Sequence, residues 1–228
     1  MIKFKCSLTG LCCKASPITL QSFEEMLVNF LAESMSIDVK IAPAYTIYDA
    51  LSNQWIALSY TLYLNDDNKC PFLSKDNRCS IHSIYKPFIC RTYPYVPREV
   101  QYLVNSELKL IIPQVVYGVS TRCPVIELHK PLISKYFEAN ASFIKEYMPS
   151  EYEAAIEAER ARLVIVTLLS NLWRDGLVEL VQKPPFTGSS SRFINAYSLL
   201  QRYNPRLPYI LGIYSIVEKI RLAKMAND

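Results

Sequence analysis

No cysteine follows Cys123, and the 228 residues hold only five glycines and two histidines. So few glycines leave no Gly-rich loop to cradle phosphates and no dinucleotide-binding fingerprint. A G-x-S-x-G nucleophile elbow and an H-E-x-x-H zinc helix are also missing, which removes the common hydrolase signatures. Charge is equally unspecialised. The net +4 is spread along the chain with no run of Lys or Arg and no basic helix face, so nothing points to a nucleic-acid backbone. Long apolar runs are absent too: MIKFKCSLTG lacks the apolar core of a secretory signal, and Leu163 to Leu169 is far too short to span a bilayer. The expected setting is the cytoplasm, away from membranes, where thiols stay reduced and available to metals.

What the sequence does have is seven cysteines, all in its first 123 residues. Half of the chain is hydrophobic, enough to bury a sizeable core, so a metal would add to that core and not replace it. The first half reads as short elements broken by turns. Thr19 is expected to cap a helix through SFEEMLVNFLAESM, where Phe23, Met26, Leu27, Phe30 and Leu31 recur at helical spacing and Ser36 ends the run. DVKIAPAYTIY and QWIALSYTLYL suit strands, the second half-buried through Ile56, Leu58, Tyr60, Leu62 and Leu64. A turn at Asn65 to Asn68 leads to Cys70, and a strand pair is expected across YLVNSELKLIIPQVVYG, turning at Asn105 and Ser106, with Pro113 at an edge or bulge.

Beyond His129 the pattern turns helical. KPLISKYFEANASFIKEYM and PSEYEAAIEAERARLVIVTLLSNLW are expected helices, the latter opened by a Ser150 and Glu153 capping box and closed at Asp175 and Gly176. A Pro-Pro turn and a small polar run, Thr187 to Ser191, then precede SRFINAYSLLQRY and LPYILGIYSIVEKIRLAKMA. The expected fold class is α+β: a small cysteine-rich metal-binding domain of short strands and helices over residues 1–130, then an all-helical region over 131–228.

The candidate ligands are Cys6, Cys12 and Cys13 in FKCSLTGLCC, Cys70, Cys79 and Cys90 in CPFLSKDNRCSIHSIYKPFICRTYPY, and Cys123 in CPVIE. Their order resembles the YkgJ-type cysteine-cluster family, a zinc- or iron-chelating domain of the CxxCxxCC type. That family's signature runs C-x2-C-G-x-C-C, C-x-F-L, C-S-I-Y/H with a nearby Pro, C-R-x-Y/F-P and a final C-P. Here it is met by Gly10, Cys12 and Cys13 after Cys6, by Cys70 with Phe72 and Leu73, by Cys79 to His82, by Pro87 and Cys90 to Pro94, and by Cys123 with Pro124. Thr9 departs from the pattern, standing where the family has its second cysteine. Flagellin lysine N-methylases carry a similar cysteine pattern in a longer chain, and that resemblance implies an iron–sulfur cluster linked to methyl transfer.

Thiolates suit zinc and iron–sulfur centres and disfavour magnesium or calcium. The repeated C-x2-C zinc knuckle is absent. The Cys-Pro steps at Cys70 and Cys123 match the ending of a ferredoxin ligand run, and Phe72, Phe88, Tyr93 and Tyr95 could shield a cluster. An iron–sulfur cluster, four-iron in type, is therefore favoured over zinc. Four thiolates complete either centre, so seven overfill one site and underfill two. His82 and His129 are expected to be structural. Arg91 is equally suited to a substrate carboxylate, to a negatively charged cluster or to a neighbouring acid. The paired carboxylates Glu24 and Glu25, and Glu157 and Glu159, read as solvated helix faces. Three functions fit: a metal-binding protein, an iron–sulfur enzyme of methyl transfer or redox chemistry, or a zinc-stabilised interaction module. No partner or substrate is identifiable.

Overall fold

The computed structural model describes residues 3–14, 17–131, 133, 142–182 and 192–225. Helix α1 (Ser22–Ser34) follows directly on strand β1 (Ile18–Gln21). Thr19 lies inside that strand, so it is not the cap; Gln21 is, its backbone N–H donating to the Glu24 carboxylate at 2.9 Å. Past the helix end Ser36 takes a left-handed backbone, as the polar break suggests. Phe23, Leu27, Val28, Leu31 and Ala32 are buried along one stripe of α1, each large side chain worth roughly 2 kcal/mol of transfer free energy.

β2 (Ile41–Asp49) and β3 (Gln54–Leu62) form an antiparallel hairpin, and β1 pairs with the far half of β3. β3 was expected to be half-buried. Ala57 and Ser59, which alternate with its apolar residues, are buried as well, so this strand is covered on both faces. A separate two-stranded ribbon joins β4 (Tyr95–Asn105) to β5 (Leu110–Val119) through a turn that opens at Asn105. Pro113 faces Tyr102 in this ribbon, where both strands are edges, and the register shift falls at Pro97 and Glu99 instead.

Short helices α2 (Phe88–Thr92) and α3 (Pro124–Leu128) flank the ribbon. Ser142–Tyr147 is α4; the rest of the helix expected from Lys130 lies largely outside the described residues. Then α5 (Pro149–Arg174) packs on the ribbon and on α2. Its first helical residue is Pro149 and its cap is Met148, without a side-chain hydrogen bond. Ser150 is already inside the helix and no capping box forms there. Asp175 and Gly176 close it as expected.

The C-terminal region is not all helical. β6 (Leu180–Val181) pairs with β2, and β7 (Phe193–Asn195) runs parallel to β3, giving one five-stranded sheet. Asn195 accepts hydrogen bonds from Tyr197 N (2.8 Å) and Ser198 N (3.3 Å), so α6 (Ala196–Tyr203) starts only after it, and the preceding residues are available to pair with β3. α7 (Leu207–Ile210) and α8 (Ile213–Met225) are separated at Gly212. The Pro-Pro turn and the run Thr187 to Ser191 lie outside the described residues.

Two apolar clusters result. The larger gathers the sheet, α1, α5, α6 and α8, and takes in Cys70 with Cys13, Cys79 and Cys90 at its margin. The smaller holds Cys123, Ile126, Ile133, Phe143, Ile144, Tyr147 and Met148, with Phe4 and Tyr93 packed against it. Both clusters draw on residues from either side of residue 130.

Candidate metal centre

The N-terminal arm folds over the Cys70 to Cys79 loop. A 3-10 turn at Leu11–Lys14 carries Cys12 and Cys13, and Cys13 N donates to Gly10 O at 3.0 Å. Gly10 has φ +68°, and a Cβ there would lie 2.8 Å from the Asn77 carbonyl oxygen, so only glycine lets the arm approach so closely. Lys14 Nζ donates to Asn77 Oδ1 at 2.6 Å, and Cys70 N donates to Cys13 O at 2.7 Å. The loop is closed on itself by a bridge between Leu73 and Cys79 and by Ser80 N and Oγ donating to Phe72 O.

Cys90 sits on α2, whose start is fixed from below. The Glu24 carboxylate is 1% exposed and accepts from Gln21 N (2.9 Å), Tyr85 OH (2.7 Å) and Phe88 N (2.7 Å). Glu24 is therefore not on a solvated face. Burial pushes its carboxyl up from the ordinary range against those three donors. Cys123 caps α3 after the turn Ser120 to Cys123, and Phe4 N donates to Tyr147 O (2.7 Å), tying the arm to the smaller cluster.

All seven cysteines line one cavity of about 760 Å³, opening between the two apolar clusters. Cys70 and Cys123 are buried, Cys6 is exposed and the other four are half-buried. Thr9, on the exposed arm, lines the same cavity. No disulfide forms among them. The Cys12 and Cys13 sulfurs are 3.8 Å apart and share a hydrogen bond that lowers the Cys12 thiol and raises the Cys13 thiol. Burial pushes Cys70 up to about 11 and raises Cys79, Cys90 and Cys123, with neighbouring thiols adding to the effect. Ionised neighbours would oppose ionisation within Cys12, Cys70, Cys79 and Cys90, and Cys6 and Cys12 would oppose that of Cys123. The thiols thus form an inner group of Cys12, Cys13, Cys70, Cys79 and Cys90, and an outlying pair of Cys6 and Cys123.

Lys86 lines the cavity, half-buried, and its charge favours the thiolate forms of Cys12, Cys79 and Cys90. Sequence reading passed over it; the signal available was its place just before Pro87 between two cysteine steps. His82 reaches the cavity wall, but His129 does not, its Nδ1 being 2.6 Å from Tyr147 OH. Phe72 and Tyr93 face the cavity. Phe88 and Tyr95, expected beside them, pack on Phe23 and Tyr117. Arg91 pairs with Glu157 at 2.6 Å, which settles its alternatives in favour of a neighbouring acid, and Glu159 is held by Arg162 and Tyr117.

The donor set is soft and partly withdrawn from water, which fits a thiolate-bound zinc or iron–sulfur group and not a hard cation. Among the described residues no three His, Cys, Asp or Glu stand close enough to share one ion. No helix among them is long and apolar enough to cross a membrane. No curated protein and no solved structure matches the chain. Residues 5–111, a little under half of the chain and bearing every cysteine but Cys123, match the CxxCxxCC family model, "Putative zinc- or iron-chelating domain".

Proposed function

We propose that the protein holds a thiolate-bound metal centre, an iron–sulfur cluster in preference to zinc, in the cavity between its two apolar clusters. The observation that carries this reading is the convergence of all seven thiols on one cavity of about 760 Å³. Ligands come from the inner group of Cys12, Cys13, Cys70, Cys79 and Cys90, with the exposed Cys6 and the buried Cys123 outside it. A single zinc with Zn–S bonds of about 2.3 Å draws its four sulfurs to within about 4 Å of one another. The thiols here surround a volume instead of a point, an arrangement better suited to a polynuclear core. When bound, such a group supplies electron transfer or Lewis acidity. The chain itself binds through its thiolates, balances their charge with Lys86 and keeps water out with Phe72 and Ile81.

Anaerobic purification, with iron, sulfide and zinc measured per chain, tests the reading. The expected protein is brown with broad absorbance near about 400 nm. A colourless preparation that keeps stoichiometric zinc after reconstitution with iron and sulfide would replace the cluster by zinc and make the protein a zinc-stabilised module. Cys→Ser at Cys13, Cys79 or Cys90 should lower metal content and Tm together, because the bound group stabilises only the folded state. Full metal content in all three variants would remove those positions from the ligand set.

A further inference from the structure

The N-terminal arm closes one side of the cavity. Every residue from Cys6 to Cys13 lines it, and so does Phe4. The contacts that hold the arm down are unevenly distributed. At its inner end Cys70 N donates to Cys13 O at 2.7 Å, Lys14 Nζ donates to Asn77 Oδ1 at 2.6 Å, and Gly10 lies so close to the Asn77 carbonyl that no side chain fits between them. At its outer end the hold is Phe4. Its amide donates to Tyr147 O at 2.7 Å, and its half-buried ring meets the Tyr147 ring edge-on with centroids 6.3 Å apart. Between the two ends Lys5 to Thr9 are all exposed and, among the described residues, make no hydrogen bond or ion pair to any other segment.

That middle stretch is also strained. Leu8 has φ +53°, a left-handed backbone that costs a leucine energy, and its side chain is 60% exposed, so no burial offsets the strain. Its amide donates to Cys6 Sγ at 3.4 Å, within the arm itself. A segment with few buried contacts, a solvated backbone and a strained turn opens at a free energy well below that of global unfolding. Since the inner end is fixed at three places and the outer end at one residue, the arm lifts from Phe4. Lifting draws Cys6 away from the cavity before it disturbs Cys12 and Cys13, and it uncovers the inner thiols.

We propose that residues 4–13 act as a strap over the metal centre, latched at Phe4, whose lifting sets how fast the bound group enters and leaves. The proposal rests on the metal-centre reading for the identity of that group and not for the strap itself. Cys12 and Cys13, beside the fixed end, hold the group while Phe4 keeps the strap shut over it.

Tryptic cleavage after Lys5 and metal loss to excess chelator, both followed on the anaerobically purified full chain, test this. Lys5 lies in the strap, so cleavage there reports the lifted population whether or not metal is bound. Phe4→Ala should speed both processes at least about fivefold, with metal per chain as purified unchanged. Phe4→Leu, which keeps an apolar latch, should speed them less. Cleavage rates are referred to free peptides of the same sequences, because Phe4 adjoins the scissile bond. Leu108→Ser, on the exposed turn of the ribbon, should change neither rate. If Phe4→Ala leaves either rate unchanged, the strap is refuted while the metal centre stands. A chain that carries no metal overturns the metal-centre reading instead, and faster cleavage of Phe4→Ala then leaves the strap standing as the cover of the cavity.

Discussion

Thr9 is the residue at which the chain departs from the cysteine order of the family model it matches, and its position gives that departure a chemical meaning. It lies on the exposed arm three residues before Cys12 and lines the cavity that the thiols share. A threonine hydroxyl is a neutral oxygen that cannot compete with thiolates for zinc or iron. The inner five thiols already exceed the four that either centre needs. Thr9→Ala is therefore expected to leave metal per chain unchanged, measured by elemental analysis of anaerobic protein. Thr9→Cys adds another thiolate to the wall and should slow metal loss to a chelator. Loss of metal from Thr9→Ala would make Thr9 a ligand or an indispensable hydrogen-bond donor, and the inner group would have to be redrawn around it.

Between elements, the decisive link is Glu24, through which α1 sets the start of α2 and with it Cys90. Glu24→Ala leaves the Phe88 amide and the Tyr85 hydroxyl without their acceptor in a buried place, each worth about 1–3 kcal/mol. A loss of roughly 3 kcal/mol in chemical denaturation is expected, together with reduced metal content. Glu24→Gln, which keeps one acceptor oxygen, should lose less of both; an alanine variant with normal stability and metal would disprove the link. Glu24 also shows where sequence reading stops. Its neighbours on α1 are correctly placed by helical spacing, yet its own burial depends on Tyr85 and Phe88, more than sixty residues away. The same limit explains β7: three residues with a helical flank become a strand because β3 offers a free edge. What is local was legible, including α1, the β4 and β5 turn, and the closure of α5. The cysteines could be recognised by their order, but not their shared cavity or Lys86 and Glu24 behind it, since these depend on chain segments meeting in space.

For the molecule as a whole, the question is whether residues 1–130 can stand alone. The matched family segment ends at residue 111, and a cut near residue 130 separates the cysteines from the C-terminal helices. Against independence, β6 and β7 complete the sheet, and α5 buries Ile165, Val166, Leu169 and Trp173 in the larger cluster. The smaller cluster joins Cys123 and Ile126 to Phe143, Ile144 and Tyr147. At roughly 2 kcal/mol for each large buried side chain, removing these partners forfeits as much as the 5–15 kcal/mol that usually holds a domain together. Deleting residues 131 onwards should therefore expose apolar faces on β3, the ribbon and the Cys123 wall, and the fragment should aggregate. Solubility and size-exclusion chromatography of the fragment, with metal measured in any soluble fraction, provide the check. A monomeric, metal-loaded fragment would show instead that the cysteine domain folds by itself and that the C-terminal helices only cover it.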